Sequence, residues 1–232
     1  MSKMPRRAAL GAIAVALPFA ATFALPALSQ SGTPGTLPAD APTLATDPDM
    51  EVATFAGGCF WCVESDFDKV PGVVSTVSGY TGGTNENPTY KDHVQYGHRE
   101  AVQITYDPAV VDYGTLLDVF WTSIDPTDAG GAFCDRGHSY TSAIYANDDE
   151  QLALAQASEA EYAAKLDGAI ATEIVPAPAF YAAEDYHQDY YLKNPVRYNY
   201  YRLACRRDAS VERVWGDLAY RGLEEAKKLK QS

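Results

Sequence analysis

Cysteine is scarce. Four in 232 residues cannot staple a chain of this length, so a disulfide-built miniprotein is excluded and any core has to come from apolar burial. Positive charge is short as well: 18 Lys and Arg stand against 31 Asp and Glu, for a formal net charge of −13. That excludes a nucleic-acid binder, which needs a basic face to displace counterions. An unbroken apolar run of membrane-spanning length is also lacking, because the one candidate, residues 8–25, is interrupted by Gly11 and Pro18. No internal repeat is visible. What the chain does hold is 47% hydrophobic residues, enough for a sizeable core and too many for a disordered tail. A pI near 4.6 implies a soluble, self-repelling protein and little more.

Residues 1–29 read as a secretory signal peptide. Lys3, Arg6 and Arg7 form a positive start, the apolar run follows, and Ala27-Leu28-Ser29 offers small residues at the two positions a signal peptidase inspects. An uncleaved N-terminal membrane anchor is the competing reading, and Arg6-Arg7 permits a twin-arginine route. Cleavage takes the net charge from −13 to −16, since three positive and no negative residues leave. The expectation is a secreted or periplasmic protein with no stable membrane span after cleavage. Residues 30–49 carry Pro34, Pro38, Pro42 and Pro48 with no apolar periodicity and read as a disordered linker. The folded domain is then 50–232.

Within that domain the pattern predicts strands over 52–56, 73–78, 101–106 and 142–145, and an extended stretch over 174–182. Helices are predicted over 59–69 and 113–123, then from about 147 to 165, and finally over 210–228. Asp112 is the expected cap of the second, and Asn147 with Glu150 gives a capping-box-like start to the third. Strands interleaved with helices imply an α+β domain, a two-layer α/β sandwich.

The chemistry concentrates after the first strand, in Gly57-Gly58-Cys59-Phe60-Trp61-Cys62-Val63-Glu64. A cysteine at the first turn of a helix meets unpaired N–H groups and the positive end of the dipole, which favour a thiolate at Cys59. Two preceding glycines let the backbone turn sharply and leave the sulfur open. Cys62, three residues on, shares that face and is within reach of a disulfide with Cys59. Zinc is disfavoured, because Cys134 and Cys205 lie far apart and neither belongs to a second C-x-x-C. Glu64 reads as a solvated helix residue.

This segment resembles the nucleophile motif of the A-type peptide methionine sulfoxide reductases. The likeness continues in order through Gly79-Tyr80-Thr81-Gly82-Gly83, Asn87-Pro88-Thr89-Tyr90, Gly97-His98-Arg99-Glu100-Ala101-Val102, Phe120-Trp121 before Asp125-Pro126, and Ser142-Ala143-Ile144-Tyr145. It runs on through Phe180-Tyr181 and Ala183-Glu184-Asp185-Tyr186-His187-Gln188-Asp189-Tyr190 to Lys193-Asn194-Pro195, so it covers about residues 52–195. The resemblance implies a ferredoxin-like core and reduction of methionine-(S)-S-oxide in proteins, through a cysteine sulfenic acid and then a disulfide. It implies Cys59 as nucleophile and Glu100 as proton donor. Tyr90 and Tyr140 would hold the sulfoxide oxygen, Asp135 would order that network, and Phe60 and Trp61 would form the methyl pocket. No metal or organic cofactor is implied. The partners implied are oxidised methionine-containing proteins and a thioredoxin or thioredoxin-like reductant.

Read on its own, the chemistry agrees: a soft nucleophile attacks sulfur while a carboxyl, kept neutral by desolvation, protonates the oxygen. The chain departs from the family pattern at Cys62, Cys134 and Thr141, where Gly, Asn and Arg are common. The family's Gly-rich tail is replaced by Tyr198-Asn199-Tyr200-Tyr201-Arg202, Cys205 and a helix. The resolving cysteine therefore stays open between Cys62 and Cys205, with Cys134 as a third candidate or as a structural partner of Cys205. Two other classes compete. One is an extracytoplasmic thiol–disulfide oxidoreductase using Cys59 and Cys62. The other is a binding module in which the seven tyrosines from Tyr181 to Tyr201 line a groove.

Overall fold

The structure, a computed structural model, describes residues 47–231 apart from 167; the signal-peptide reading and most of the linker reading fall outside these. In chain order the elements begin with β1 (Glu51–Ala56), α1 (Phe60–Phe67), β2 (Val73–Thr81), β3 (Arg99–Tyr106) and α2 (Tyr113–Trp121). Two-residue strands β4 (Gly131–Ala132) and β5 (Asp135–Arg136) precede β6 (Ala143–Ala146), α3 (Asp149–Ala163), β7 (Glu173–Pro176) and β8 (Phe180–Ala182). Helices α4 (Tyr190–Lys193), α5 (Pro195–Ala204), α6 (Arg207–Trp215) and α7 (Arg221–Ala226) complete it.

The main sheet has the order β7-β6-β1-β3-β2-β8, antiparallel throughout except for β6 beside β7. Its central part, with β1, α1, β2, β3, α2 and β6 in sequence and β6-β1-β3-β2 in space, is the ferredoxin-like β-α-β-β-α-β unit. The extended stretch expected over 174–182 splits in two and pairs with opposite edges of the sheet, β7 on β6 and β8 on β2. Both edges of the four-stranded core are thereby covered.

One face of the sheet packs the helices. Phe55 on β1 stacks against Phe67 of α1 and Phe120 of α2, with ring centroids 5.3 and 4.9 Å apart. These fully buried rings hold both helices to the sheet, each worth roughly 1.5–3 kcal/mol of burial. The other face carries small residues, Ala56, Ala101 and Ala143, around Tyr145.

Asp112 caps α2 as expected, accepting from the Thr115 N–H at 2.7 Å. For α3 the cap is displaced by one residue: Asp148 accepts from Gln151 N–H at 2.7 Å, while the Asn147 side chain donates to the Val52 carbonyl at 2.8 Å. Asn147 ties the helix start to β1 instead of capping it. The single helix expected over 210–228 is also corrected. It is broken into α6, a 3₁₀ turn and α7, because Gly216 and Tyr220 both adopt left-handed φ values of 53° and 56°. The helix α5, begun by Pro195, was not anticipated.

At the turn into α1, Gly58 has φ +89°, and a Cβ there would lie 2.5 Å from the Ala132 Cβ. Gly58→Ala is therefore expected to destabilise the fold by about 1–3 kcal/mol, through backbone strain together with that clash. A lowered urea midpoint with an unchanged m-value would register it; an unchanged midpoint would refute it.

Candidate active site

Cys59 stands at the N-cap of α1, and its carbonyl accepts from the N–H groups of Cys62 and Val63 at 3.0 and 3.3 Å. Glu100, near the start of β3, faces it. The Phe60 N–H, one of the free donors of the helix start, reaches Glu100 Oε2 at 3.0 Å. The anion-binding end of α1 thus holds the carboxyl beside the cysteine. A small cavity of about 50 Å³ is lined by Cys59, Phe60, Trp61, Tyr90, Glu100, Asp135, Tyr140 and Tyr201. Four separate segments supply the seven expected residues among these, and the fold brings all seven together. The eighth, Tyr201 of α5, was not foreseen.

Glu100 is 2% exposed, and burial pushes its pKa up to about 8, against the pull of the Phe60 N–H and the Tyr140 hydroxyl. It is a protonated acid at neutral pH, as the chemistry requires. Burial likewise raises Tyr90, to about 12, and Tyr140, so both remain O–H donors toward the cavity. Asp135 is also pushed up by burial; its Oδ2 accepts from the Tyr201 hydroxyl, which is in hydrogen-bond contact with Cys59 as well.

The two free thiols form a pair. Burial drives Cys59 up, and its hydrogen bond with Cys62 and the facing Glu100 add to that. Cys62 moves down, first through the Cys59 hydrogen bond and then through the charges of Arg207 and Arg202. The helix start favours a thiolate at Cys59 and burial opposes it; of the two thiols, Cys62 is the one whose ionisation its surroundings ease. The remaining cysteines are bonded to each other, Cys134 to Cys205, with Cα atoms 5.0 Å apart. In this state Cys205 is not a free thiol.

Four more residues, to which the sequence reading gave no role, support the site. His93 is buried, donates through Nδ1 to the Tyr90 carbonyl at 3.0 Å and turns Nε2 toward Glu100 Oε1 at 3.9 Å. His187 accepts from Trp61 Nε1 at 3.1 Å, and Tyr190 stacks on Trp61 at 3.8 Å between centroids, which fixes the indole. Arg207 donates to the Gly57 carbonyl at 3.0 Å and secures the glycine turn. Of these, His187 and Tyr190 stood in the sequence only as members of the family-like run 183–190. Glu64 is corrected too: it is fully buried, accepts from the Asp189 N–H at 3.1 Å, and burial takes its pKa to about 7.

A buried thiol pair at a glycine turn, opposite a protonated carboxyl and three tyrosine hydroxyls, defines a thiol-dependent oxidoreductase that acts on a polarised oxygen. The sequence profile of the family Peptide methionine sulfoxide reductase matches residues 51–219. Peptide methionine sulfoxide reductase MsrA 2 of Rhizobium meliloti is 50% identical over 182 residues, 78% of this chain and 91% of its own length. The Caulobacter vibrioides protein of the same name is 51% identical over 183 residues, 78% of this chain and 92% of its own. Among solved structures, reduced Mxr1 of Saccharomyces cerevisiae superposes with a TM-score of 0.61 at 34% identity, over 64% of this chain and 88% of that one. The chain belongs to the peptide methionine sulfoxide reductase family. Its activity is thiol-dependent reduction of methionine sulfoxide, which sets aside the binding-module class.

With Glu100 as a proton donor whose pKa is about 8, kcat/KM is expected to hold level at neutral pH and fall as pH rises through about 8. Glu100→Gln should slow methionine formation by roughly 10²–10⁴-fold and abolish that alkaline limb. A parental limb retained in the variant would assign it to another group.

Proposed function

We propose that this enzyme reduces methionine-(S)-S-oxide in other proteins, with Cys59 as nucleophile, Glu100 as acid and Cys62 as resolving thiol. The observation that carries the reading is the gathering of Cys59, Glu100, Tyr90 and Tyr140 around one small cavity with two aromatic walls. Phe60 and Trp61 take the methyl group, and the two tyrosine hydroxyls and the Glu100 acid hold the oxygen. Cys59 attacks sulfur as Glu100 gives its proton to the oxygen and Cys62 takes the thiol proton. The oxygen ends on Cys59 as a sulfenic acid, and the methionine thioether leaves. Cys62 then attacks the Cys59 sulfur, a disulfide forms and water departs. Support for Cys62 is its place one helix turn on, hydrogen-bonded to Cys59, while Cys205 is engaged with Cys134. Two electrons from a thioredoxin or thioredoxin-like dithiol restore the pair. Export is part of the proposal, resting on the signal-like pattern of residues 1–29. Among the described residues no helix is long and apolar enough to cross a membrane.

Cys59→Ser should form no methionine from a sulfoxide peptide, because a hydroxyl is harder and scarcely ionised. With the Cys134–Cys205 bond intact, one equivalent of methionine sulfoxide should yield a Cys59–Cys62 disulfide peptide on non-reducing digestion and mass mapping. A Cys59–Cys205 peptide, together with full thioredoxin-coupled turnover in Cys62→Ser, would transfer the resolving role to Cys205. Insulin disulfide reduction at a rate matching sulfoxide reduction would favour a general thiol–disulfide oxidoreductase.

A further inference from the structure

The cavity beside Cys59, about 50 Å³, is small, with room for the end of a side chain and not for a peptide. The rest of a peptide must lie elsewhere. A groove of about 680 Å³ adjoins the cavity and shares Trp61, Tyr90 and Tyr201 with it as common walls. Its outer wall is built by the segment from Tyr186 to Cys205, where the tyrosines cluster.

Three features of this groove await a partner. The rings of Tyr186 and Tyr200 are 57% and 74% exposed, which is unusual for aromatic side chains beside a catalytic cavity. Arg197 lines the groove and has no ion pair or hydrogen bond among the described residues, although the chain carries a net charge of −13. His187 accepts through Nδ1 from Trp61 Nε1, so its proton sits on Nε2. That Nε2–H is buried and has no acceptor, in a side chain 2% exposed that also lines the groove. The exposed Tyr186 ring packs on His187 at 4.3 Å between centroids. Rings without a cover, a cation without an anion and an N–H without a carbonyl are together what a polypeptide chain satisfies.

We infer that the groove binds the residues flanking the oxidised methionine, selecting segments with an aromatic or apolar neighbour on the tyrosine rings and an acidic side chain at Arg197. A backbone carbonyl of the same segment accepts from His187 Nε2. This inference rests on the Cys59 reading above and names the substrate class for that site.

The test compares kcat/KM for three substrates: N-acetyl-methionine sulfoxide amide, and two heptapeptides whose residues around the sulfoxide are Phe and Asp or Ser and Lys. In the parent enzyme the Phe/Asp peptide should exceed the Ser/Lys peptide by about tenfold, the scale of one buried ring plus one exposed ion pair. Tyr200→Ser should remove most of the ring share. Arg197→Glu should shift an Asp-to-Lys peptide ratio about fivefold toward Lys. The same charge change at Arg221, which pairs with Glu225 in a different cavity, should not. Equal peptide ratios in parent and variants would overturn the inference. So would a raised KM for the dithiol reductant with peptide ratios unmoved, which would give the groove to the reductant. Failure of the parent to reduce the small amide would instead count against the Cys59 reading itself.

Discussion

The catalytic turn is held by one buried guanidinium. Arg207 donates to the carbonyls of Gly57 at 3.0 Å and Ser123 at 3.1 Å, and its Nε lies 4.0 Å from Asp66 Oδ2. A fully buried cation is costly, and here two carbonyls, a carboxylate and the Phe133 ring at 4.8 Å offset that cost. In return it joins α6 to the end of β1, to the end of α2 and to α1. Cys62 lies on α1 between the Gly57 turn and Asp66, so the same charge that fixes the turn also favours a thiolate at Cys62. One buried residue of α6 thus contributes to both the geometry and the electrostatics of the thiol pair.

Around that turn the site separates proton donors from proton acceptors by burial. Glu100 is kept as an acid because its carboxyl is desolvated and only partly compensated by the Phe60 N–H. Cys62 lies beside two arginines, whose charges favour its ionised form. Cys59 adjoins both, its ionisation opposed by burial. The disulfide between Cys134 and Cys205 anchors the β5 loop to α5, one residue from Asp135 and one helix turn from Tyr201. It thereby holds the Asp135–Tyr201 hydrogen bond over Cys59. Departures from the family pattern at Cys134 and in the tail thus belong to one device, since each supplies half of the bond.

Local signals carried the elements and the identity of the reacting groups. Gly57-Gly58-Cys59 announced a strand and a tight turn, because glycine readily accepts the φ of +89° found at Gly58, whereas the sulfur expected to be open is buried in the fold. Asp112 announced its helix because capping is decided within three residues. Asn147 misled for the complementary reason. Its side chain is drawn away to the Val52 carbonyl, 95 positions distant in sequence, and no local pattern contains that partner.

The sequence by itself supplied the candidate reacting groups: a soft nucleophile after a glycine turn, a carboxyl to be desolvated, and the aromatic residues beside them. Residue type and short-range spacing fix such things, since they depend on bond chemistry and on a few backbone angles. Only the tertiary structure decided the charge each group carries, that Cys205 pairs with Cys134, and that Tyr201, His93 and Arg207 belong to the site. Those outcomes follow from desolvation and from contacts between segments far apart in the chain, such as Arg207 against Gly57, 150 positions away. Burial and long-range Coulomb forces exist only once the chain has folded.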